Sequence, residues 1–290
     1  MQVIVKLAGG IGNQLFQYVF AKGIANKFQA ELLVDLSSFV NYSYHHDFEL
    51  KKLIPEISIA DITLYAEKKG IYFLNENIDL SLNSINILPE DCEILVISGY
   101  WQNEKYIDKS VINEINKKLY DKYEKITTVF DSENRSKFVA LHIRRRDYRH
   151  MGLCSEEYYI GSLQYLMETT NFSYVFLFSD EPNYSLYFLN KYFNGKIKLI
   201  KTGDDFHDLY IMSQCNNIII SNSTYSWWGA YFNENNKNII INPDPWILVD
   251  NTTKPCPPRW VAVKNSLAIM DINLDKISEI KSIIYDEKTY

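Results

Sequence analysis

Short uninterrupted apolar runs alternate along the chain with longer stretches whose apolar residues recur every three or four positions. Residues 2–7 read as a buried strand, and residues 13–27 as a helix that turns Leu15, Phe16, Val19, Phe20 and Ile24 inward. Residues 31–34 form a second strand. The span 37–91 is less regular and carries the aromatic cluster Tyr42, Tyr44, His45 and His46. Residues 92–98 are again strand-like, closed by Gly99-Tyr100-Trp101-Gln102, and a helix follows over 106–123. The polar stretch 131–136 breaks the periodicity just before a strand over 137–144. Further strands are predicted at 174–179, 197–200, 218–221 and 239–242, with helices at 156–167 and 206–212 and an amphipathic tail helix at 271–285. Such alternation is the signature of β-α-β units, so the fold class is α/β, with two Rossmann-like halves facing a cleft. The expected domains are residues 1–133 and 134–290, the final helix being placed to pack across both.

Composition narrows the partners. At 290 residues the chain has 47% hydrophobic and 23% charged positions and a net charge of -6. That balance argues against the broad basic footprint that nucleic acid or an anionic membrane requires, so an anionic ligand must be small and bound locally. The start Met1-Gln2-Val3-Ile4-Val5-Lys6-Leu7 lacks the basic opening and long apolar core of a signal peptide, and no stretch reaches membrane-spanning length. The expectation is a cytoplasmic protein, with peripheral membrane contact left open. Cys92, Cys154, Cys215 and Cys256 form no C-x-x-C pair, which points to a reducing compartment and to no metal site.

Three segments carry candidate chemistry. In Leu141-His142-Ile143-Arg144-Arg145, alternation puts His142 and Arg144 on one face of a strand end and Arg145 on the other. Ligands of open α/β sheets sit beyond the carboxyl ends of strands, and arginine there presents a planar fork to a diphosphate. Arg145 and Asp147 are expected to pair and orient the loop. The alternative, a solvated charge run of three arginines and an aspartate, is weakened by the strand-end position. Second, Ala8-Gly9-Gly10-Ile11-Gly12-Asn13-Gln14 is a glycine-rich turn whose helix N-terminus favours negative charge, or simply a tight turn capped by Asn13. It is not a G-x-G-x-x-G fingerprint, and Asp35 is only a suggestive ribose partner. Third, Ser221, Asn222, Ser223 and Thr224 precede Tyr225-Ser226-Trp227-Trp228-Gly229 and offer small donors to a phosphate, with both tryptophans read as packing residues. Asp180 and Asp208 are carboxylates that either accept guanine or ribose hydrogens or cap helices. The chain has no Asp-x-Asp, so arginine and helix-end amides are expected to meet a leaving diphosphate.

Together, Gly9-Gly10-Ile11-Gly12-Asn13-Gln14-Leu15-Phe16-Gln17-Tyr18, Gly99-Tyr100-Trp101-Gln102, the H-x-R-R-x-D-Y segment from His142 to Tyr148, Phe178-Ser179-Asp180 and Ser221-Asn222-Ser223-Thr224-Tyr225-Ser226-Trp227-Trp228-Gly229-Ala230 span nearly the whole chain. In these segments the sequence resembles the α-1,2-fucosyltransferases of glycosyltransferase family eleven, chiefly bacterial members. The resemblance implies a GT-B architecture with residues 1–133 as the acceptor-side domain and 134–290 as the GDP-fucose-binding domain, GDP-β-L-fucose as donor, no metal or other cofactor, and transfer with inversion to the 2-hydroxyl of a terminal galactose in an oligosaccharide acceptor. H-x-R-R-x-D is shared with α-1,6- and protein O-fucosyltransferases, so it speaks for the donor and not the linkage.

By motif position, Arg144 resembles the family's essential pyrophosphate-binding arginine, His142 a guanosine-side contact and Asp208 the carboxylate that reads guanine. Ser223 and Thr224 match the phosphate-binding small residues, and Asn13, beside Gly10 and Gly12, lies where the loop would face fucose and diphosphate. Arg145, Asp147, Ser221 and Asn222 complete the expected donor site. Arg146 departs from the motif, which has glycine there. No general base is singled out, and Asp47, His45 and His46 read better as surface residues. The rival readings are a fucosyltransferase of another linkage, a user of another GDP-sugar, and a nucleotide- or carbohydrate-binding protein without turnover.

Overall fold

The computed structural model describes residues 1–40, 47–60, 69–76, 81–130, 135–148, 152–233, 238–248 and 253–266. The first half contains β1 (Gln2–Lys6), α1 (Ile11–Lys27), β2 (Glu31–Asp35), α2 (Ser37–Val40), β3 (Ser58–Ala60), β4 (Ile71–Asn75), β5 (Ile94–Ser98) and α3 (Lys109–Tyr123). Its sheet runs β3-β2-β1-β5-β4 with parallel pairing. The second half contains β6 (Phe138–Ile143), α4 (Glu156–Thr169), β7 (Tyr174–Ser179), α5 (Pro182–Tyr192), β8 (Lys196–Leu199), α6 (Asp205–Ser213), β9 (Asn217–Ile219), α7 (Thr224–Asn233), β10 (Ile240–Asp244) and β11 (Val261–Lys264). Its sheet runs β11-β10-β9-β6-β7-β8, also parallel. The α/β reading is borne out, and the irregular span 37–91 supplies the two edge strands β3 and β4.

Most predicted elements lie within a few residues of their expected bounds. α1 begins at Ile11, two residues earlier than its apolar pattern, because Gly10 adopts the extended conformation that starts a helix. α3 begins at Lys109, since Asp108 caps it by accepting from the amides of Ser110 and Val111. The aromatic cluster at Tyr42, Tyr44, His45 and His46, the break at 131–134 and the tail helix at 271–285 lie outside the described residues.

One continuous core joins the halves. Helices α1 and α3 cover one face of the first sheet, α6 and α7 one face of the second, and the helix pairs meet through buried side chains. Phe16 of α1 lies 4.6 Å from the Trp227 ring and 4.7 Å from the Trp228 ring of α7. The Trp228 indole also donates to the Gly12 carbonyl at 2.9 Å, and the Trp227 indole to Pro255 at 3.1 Å. Both tryptophans are fully buried, as expected for packing residues. At the other pair, the Tyr123 ring of α3 stacks on His207 of α6 and its hydroxyl donates to Asp204 at 2.7 Å. A latch on one side adds Arg259, whose guanidinium meets both oxygens of Glu104 at 2.6 and 2.8 Å. Two sheets thus face each other with their strand ends opening onto a shared cleft.

Candidate active site

The cleft has a volume of about 1150 Å³ and lies beyond the carboxyl ends of β1, β5, β6 and β7. Of the twelve residues singled out in the sequence as catalytic or donor-binding, ten line it: Gly10, Gly12, Asn13, His142, Arg144, Asp147, Asp208, Asn222, Ser223 and Thr224. Arg145 and Ser221 stand behind it, both buried.

The basic segment begins where β6 ends. Its register with β7 pairs Ile143 with Ser179, which places Arg144 beside Asp180 as both chains leave the sheet. Asp180 then organises the turn: it accepts from the amide of Arg145 at 3.0 Å and of Arg146 at 3.2 Å, and its carboxylate lies 3.3 Å from Arg144 Nε. Burial raises the Asp180 pKa, opposed by the Arg144 charge and these amides. Arg144 donates through Nε and Nη2 to both oxygens of Asp147, at 2.8 and 3.0 Å. The ion pair expected between Arg145 and Asp147 therefore falls to Arg144. Arg145, on the opposite face, meets Glu181 at 2.9 Å and lies over the Tyr184 ring at 3.5 Å, so it braces the turn from behind. Burial works against the Arg144 charge, but the Asp147 and Asp180 carboxylates more than restore it, and among the described residues its Nη1 has no partner.

His142 is 5% exposed, and its Nδ1 lies 2.9 Å from the Ser221 hydroxyl. Burial, reinforced by the Arg144 charge, lowers its pKa from 6.5 to about 3, so the imidazole is neutral at physiological pH. Ser221 is thus a support for His142 and not a phosphate donor, a correction to its expected role. Asn222 braces the neighbouring loop by donating to the Gly152 carbonyl at 2.8 Å. Asp208 accepts from the Thr202 amide and hydroxyl at 2.9 and 2.8 Å through one oxygen, and the other has no partner among the described residues. The cap of α6 is Asp204, so Asp208 is not one. Asp35 lies outside the cleft lining and accepts from the Ser37 amide and hydroxyl, which removes it as a ribose partner. Asp47 lies outside that lining too, and His45 and His46 fall outside the described residues.

Opposite this turn, the N-termini of α1 and α7 converge. A Cβ on Gly12 would stand 2.5 Å from the Thr224 carbonyl carbon and 2.6 Å from the Tyr225 nitrogen, so only glycine lets the two helix ends approach this closely. Neither first turn holds an acidic residue, and both helix ends present positive backbone dipole to the cleft. Asn13 is not the α1 cap. Its Oδ1 instead accepts from Gln102 Nε2 and from the Thr224 hydroxyl, each at 2.9 Å, tying three segments together across the cleft.

The sequence reading missed what fixes the glycine-rich turn. The buried Gln14 side chain donates to the Gly9 and Asp47 carbonyls at 2.9 Å and accepts from the Glu49 amide at 3.0 Å. Buried Gln17 accepts from the Ala8 amide at 3.0 Å and donates to the Gly99 carbonyl at 3.2 Å. Amides at 13, 14 and 17 were the available signal: three of them within the first two turns of an otherwise apolar helix need local partners.

With this geometry in place, four likenesses bear on it. The sequence profile of Glycosyl transferase family 11 matches residues 92–247. An α-1,2-colitosyltransferase of Escherichia coli is 32% identical over 297 residues, covering 90% of this chain and 99% of that protein. A galactoside 2-α-L-fucosyltransferase of Caenorhabditis elegans is 25% identical over 247 residues, covering 79% of this chain and 68% of its own length. Among solved structures, E. coli ADP-heptose LPS heptosyltransferase II superposes with a TM-score of 0.50 at 10% identity over 100% of both chains, a likeness of fold alone. The two Rossmann-like halves facing a cleft form the GT-B architecture expected from the sequence.

Proposed function

The chain belongs to glycosyltransferase family 11, and from that premise we propose that it moves L-fucose from GDP-β-L-fucose to the 2-hydroxyl of a terminal galactose, with inversion and without a metal. The observation that carries this reading is Arg144, held by two carboxylates at a strand end and facing a cleft onto which two helix N-termini open.

In this reaction the acceptor hydroxyl oxygen attacks fucose C1 opposite the bond to GDP, and its proton passes to water or to the departing diphosphate. That bond breaks with its electrons leaving on the β-phosphate, and positive charge develops on the sugar ring. Stabilising the departing diphosphate dominates the barrier, and groups already oriented by Asp147 and Asp180 need no reorganisation as the charge arrives. Arg144 Nη1 and the first-turn amides of α1 and α7 are the proposed donors, with Ser223 and Thr224 beside them. Neutral His142 contributes a hydrogen bond on the guanosine side, and the open oxygen of Asp208 accepts from guanine. A good leaving group of this kind reduces the need for a strong general base.

A second reading replaces fucose with colitose, favoured by the identity to the E. coli α-1,2-colitosyltransferase. The two sugars differ by one hydroxyl, so both donors must be offered in competition. Incubation with each GDP-sugar and lactose, with and without chelator, tests donor and metal together, and NMR of the product reads the linkage. An α-1,2-fucosylated galactose formed equally well in chelator is the expected result. Exclusive turnover of GDP-colitose overturns the donor assignment, and loss of product in chelator overturns metal independence.

A further inference from the structure

The first half contributes Gly9, Gly10, Ile11, Gly12, Asn13, Tyr100 and Gln102 to the described lining of the cleft, and none of these is a carboxylate, a lysine, an arginine or a histidine. We propose that the turn following β5 is the acceptor subsite, in which the Tyr100 ring is the platform for the apolar face of a galactopyranoside and the amides of Gln102 and Asn13 bond its hydroxyls. The proposal rests on the galactoside reading above and deepens it.

Tyr100 is held out of the core by its neighbours. Trp101 is fully buried, stacked on Phe20 at 4.0 Å and edge-on to Tyr106 at 5.0 Å, yet its φ is +57°. A bulky residue is strained in that left-handed region, and such strain persists where the surrounding structure over-determines it, typically at ligand sites. Gly99 before it has φ +131°, and a Cβ there would fall 2.5 Å from the Glu76 Cβ. Between these two fixed residues Tyr100 stays 48% exposed, and its amide donates to Glu76 Oε2 at 2.8 Å. A strained and braced turn that exposes an aromatic ring to a cleft serves recognition and not packing.

The polar groups fit the same ligand. Gln102 Nε2 and the Thr224 hydroxyl both donate to Asn13 Oδ1, which fixes the Asn13 amide. Among the described residues Asn13 Nδ2 and Gln102 Oε1 have no partner, one donor and one acceptor on joined side chains. An aromatic face with a neutral donor and acceptor matches a sugar ring, whereas a phosphate would find no cationic side chain among the described residues of this wall. The Asn13–Thr224 bond sets this subsite next to the α7 N-terminus, so an acceptor hydroxyl there adjoins the proposed diphosphate position.

The test is titration of lactose into the GDP-loaded protein by NMR, for wild type, Tyr100→Ala and Tyr100→Phe, with GDP affinity measured on each sample. Loss of one aromatic stacking face predicts lactose binding weakened about tenfold in Tyr100→Ala. Tyr100→Phe should stay close to wild type, and GDP affinity should be unchanged in both. The proposal is overturned if wild type does not bind lactose, if Tyr100→Ala binds it as wild type does, or if lactose and GDP affinity fall together. Lactose binding that depends on Tyr100 without turnover of GDP-fucose would sink the donor reading and leave the subsite standing. Fucose transfer with Tyr100→Ala lactose affinity intact would do the reverse.

Discussion

The two walls of the cleft are built from the same kind of element, the turn beyond a parallel strand, yet their chemistry is opposed. The second-half wall carries Arg144, Arg146, Asp147, Asp180, Lys201, Asp205 and Asp208. The first-half wall, among the described residues, presents glycines, one isoleucine, two amide side chains and one tyrosine ring. On the charged side every arginine of the β6 turn except Arg146 is matched to a carboxylate, which pre-sets guanidinium geometry before a ligand arrives. On the neutral side, geometry is set by amide side chains and by a strained backbone. In the proposed reaction, charged side chains are concentrated where a diphosphate must depart, and the first-half wall, whose described side chains are uncharged, meets that diphosphate only through the backbone amides of the α1 N-terminus.

The contrast breaks most visibly at Arg144. Arg144→Ala should lower kcat by ~10²–10³, the usual consequence of removing a charge-assisted donor to a developing anion, with KM for the acceptor little changed. Steady-state kinetics with both substrates varied would reveal it, and a wild-type kcat would remove Arg144 from the role. Next in size is the junction of the walls: Gly12→Ala forces a methyl against Thr224 and Tyr225, and overpacking of this kind destabilises by ~1–3 kcal/mol, measured as a lower Tm. Its turnover should fall as well, because the two helix ends separate.

A third effect is set by pH. His142 has a folded pKa of about 3 against 6.5 when unfolded, so above pH 6.5 both states are neutral and the contribution is complete. As pH falls below 6.5 the unfolded chain takes up a proton that the folded chain refuses, and stability is lost down to about pH 3. Over the interval from 6.5 to 5 the loss is ~2 kcal/mol. Urea unfolding at pH 7.5 and 5.0 should show wild type losing that much more than His142→Gln; parallel losses would contradict it. The smallest effect belongs to Arg146, which lines the cleft, is exposed and whose guanidinium has no carboxylate partner among the described residues. Arg146→Gly should weaken GDP binding by only ~2–5-fold, and the difference should shrink at high salt.

Much of this was legible from pattern. The strand over Tyr174–Ser179 coincides with its apolar run, and period-two alternation correctly separated Arg144 from Arg145. Alternation fixes the face of a side chain but not its partner, which depends on strand register. Arg144 lies beside Asp180 because Ile143 pairs with Ser179, and Glu181 reaches Arg145 from the same distant turn. That is why the local Arg145–Asp147 pairing was the wrong expectation. Asp35 failed for a nearer reason, since Ser37 two residues on already holds its carboxylate. The neutral wall was least legible, because Asn13, Gln14, Gln17, Tyr100 and Gln102 act through contacts that close only once β1 and β5 lie side by side.

The division between the walls is tested most directly by calorimetric titration of GDP into wild type, Arg144→Ala and Asn13→Ala. The account predicts GDP affinity lowered at least tenfold by Arg144→Ala, and lowered much less by Asn13→Ala, whose amide belongs to the sugar side. GDP binding unaffected by Arg144→Ala, or weakened more by Asn13→Ala, would contradict it.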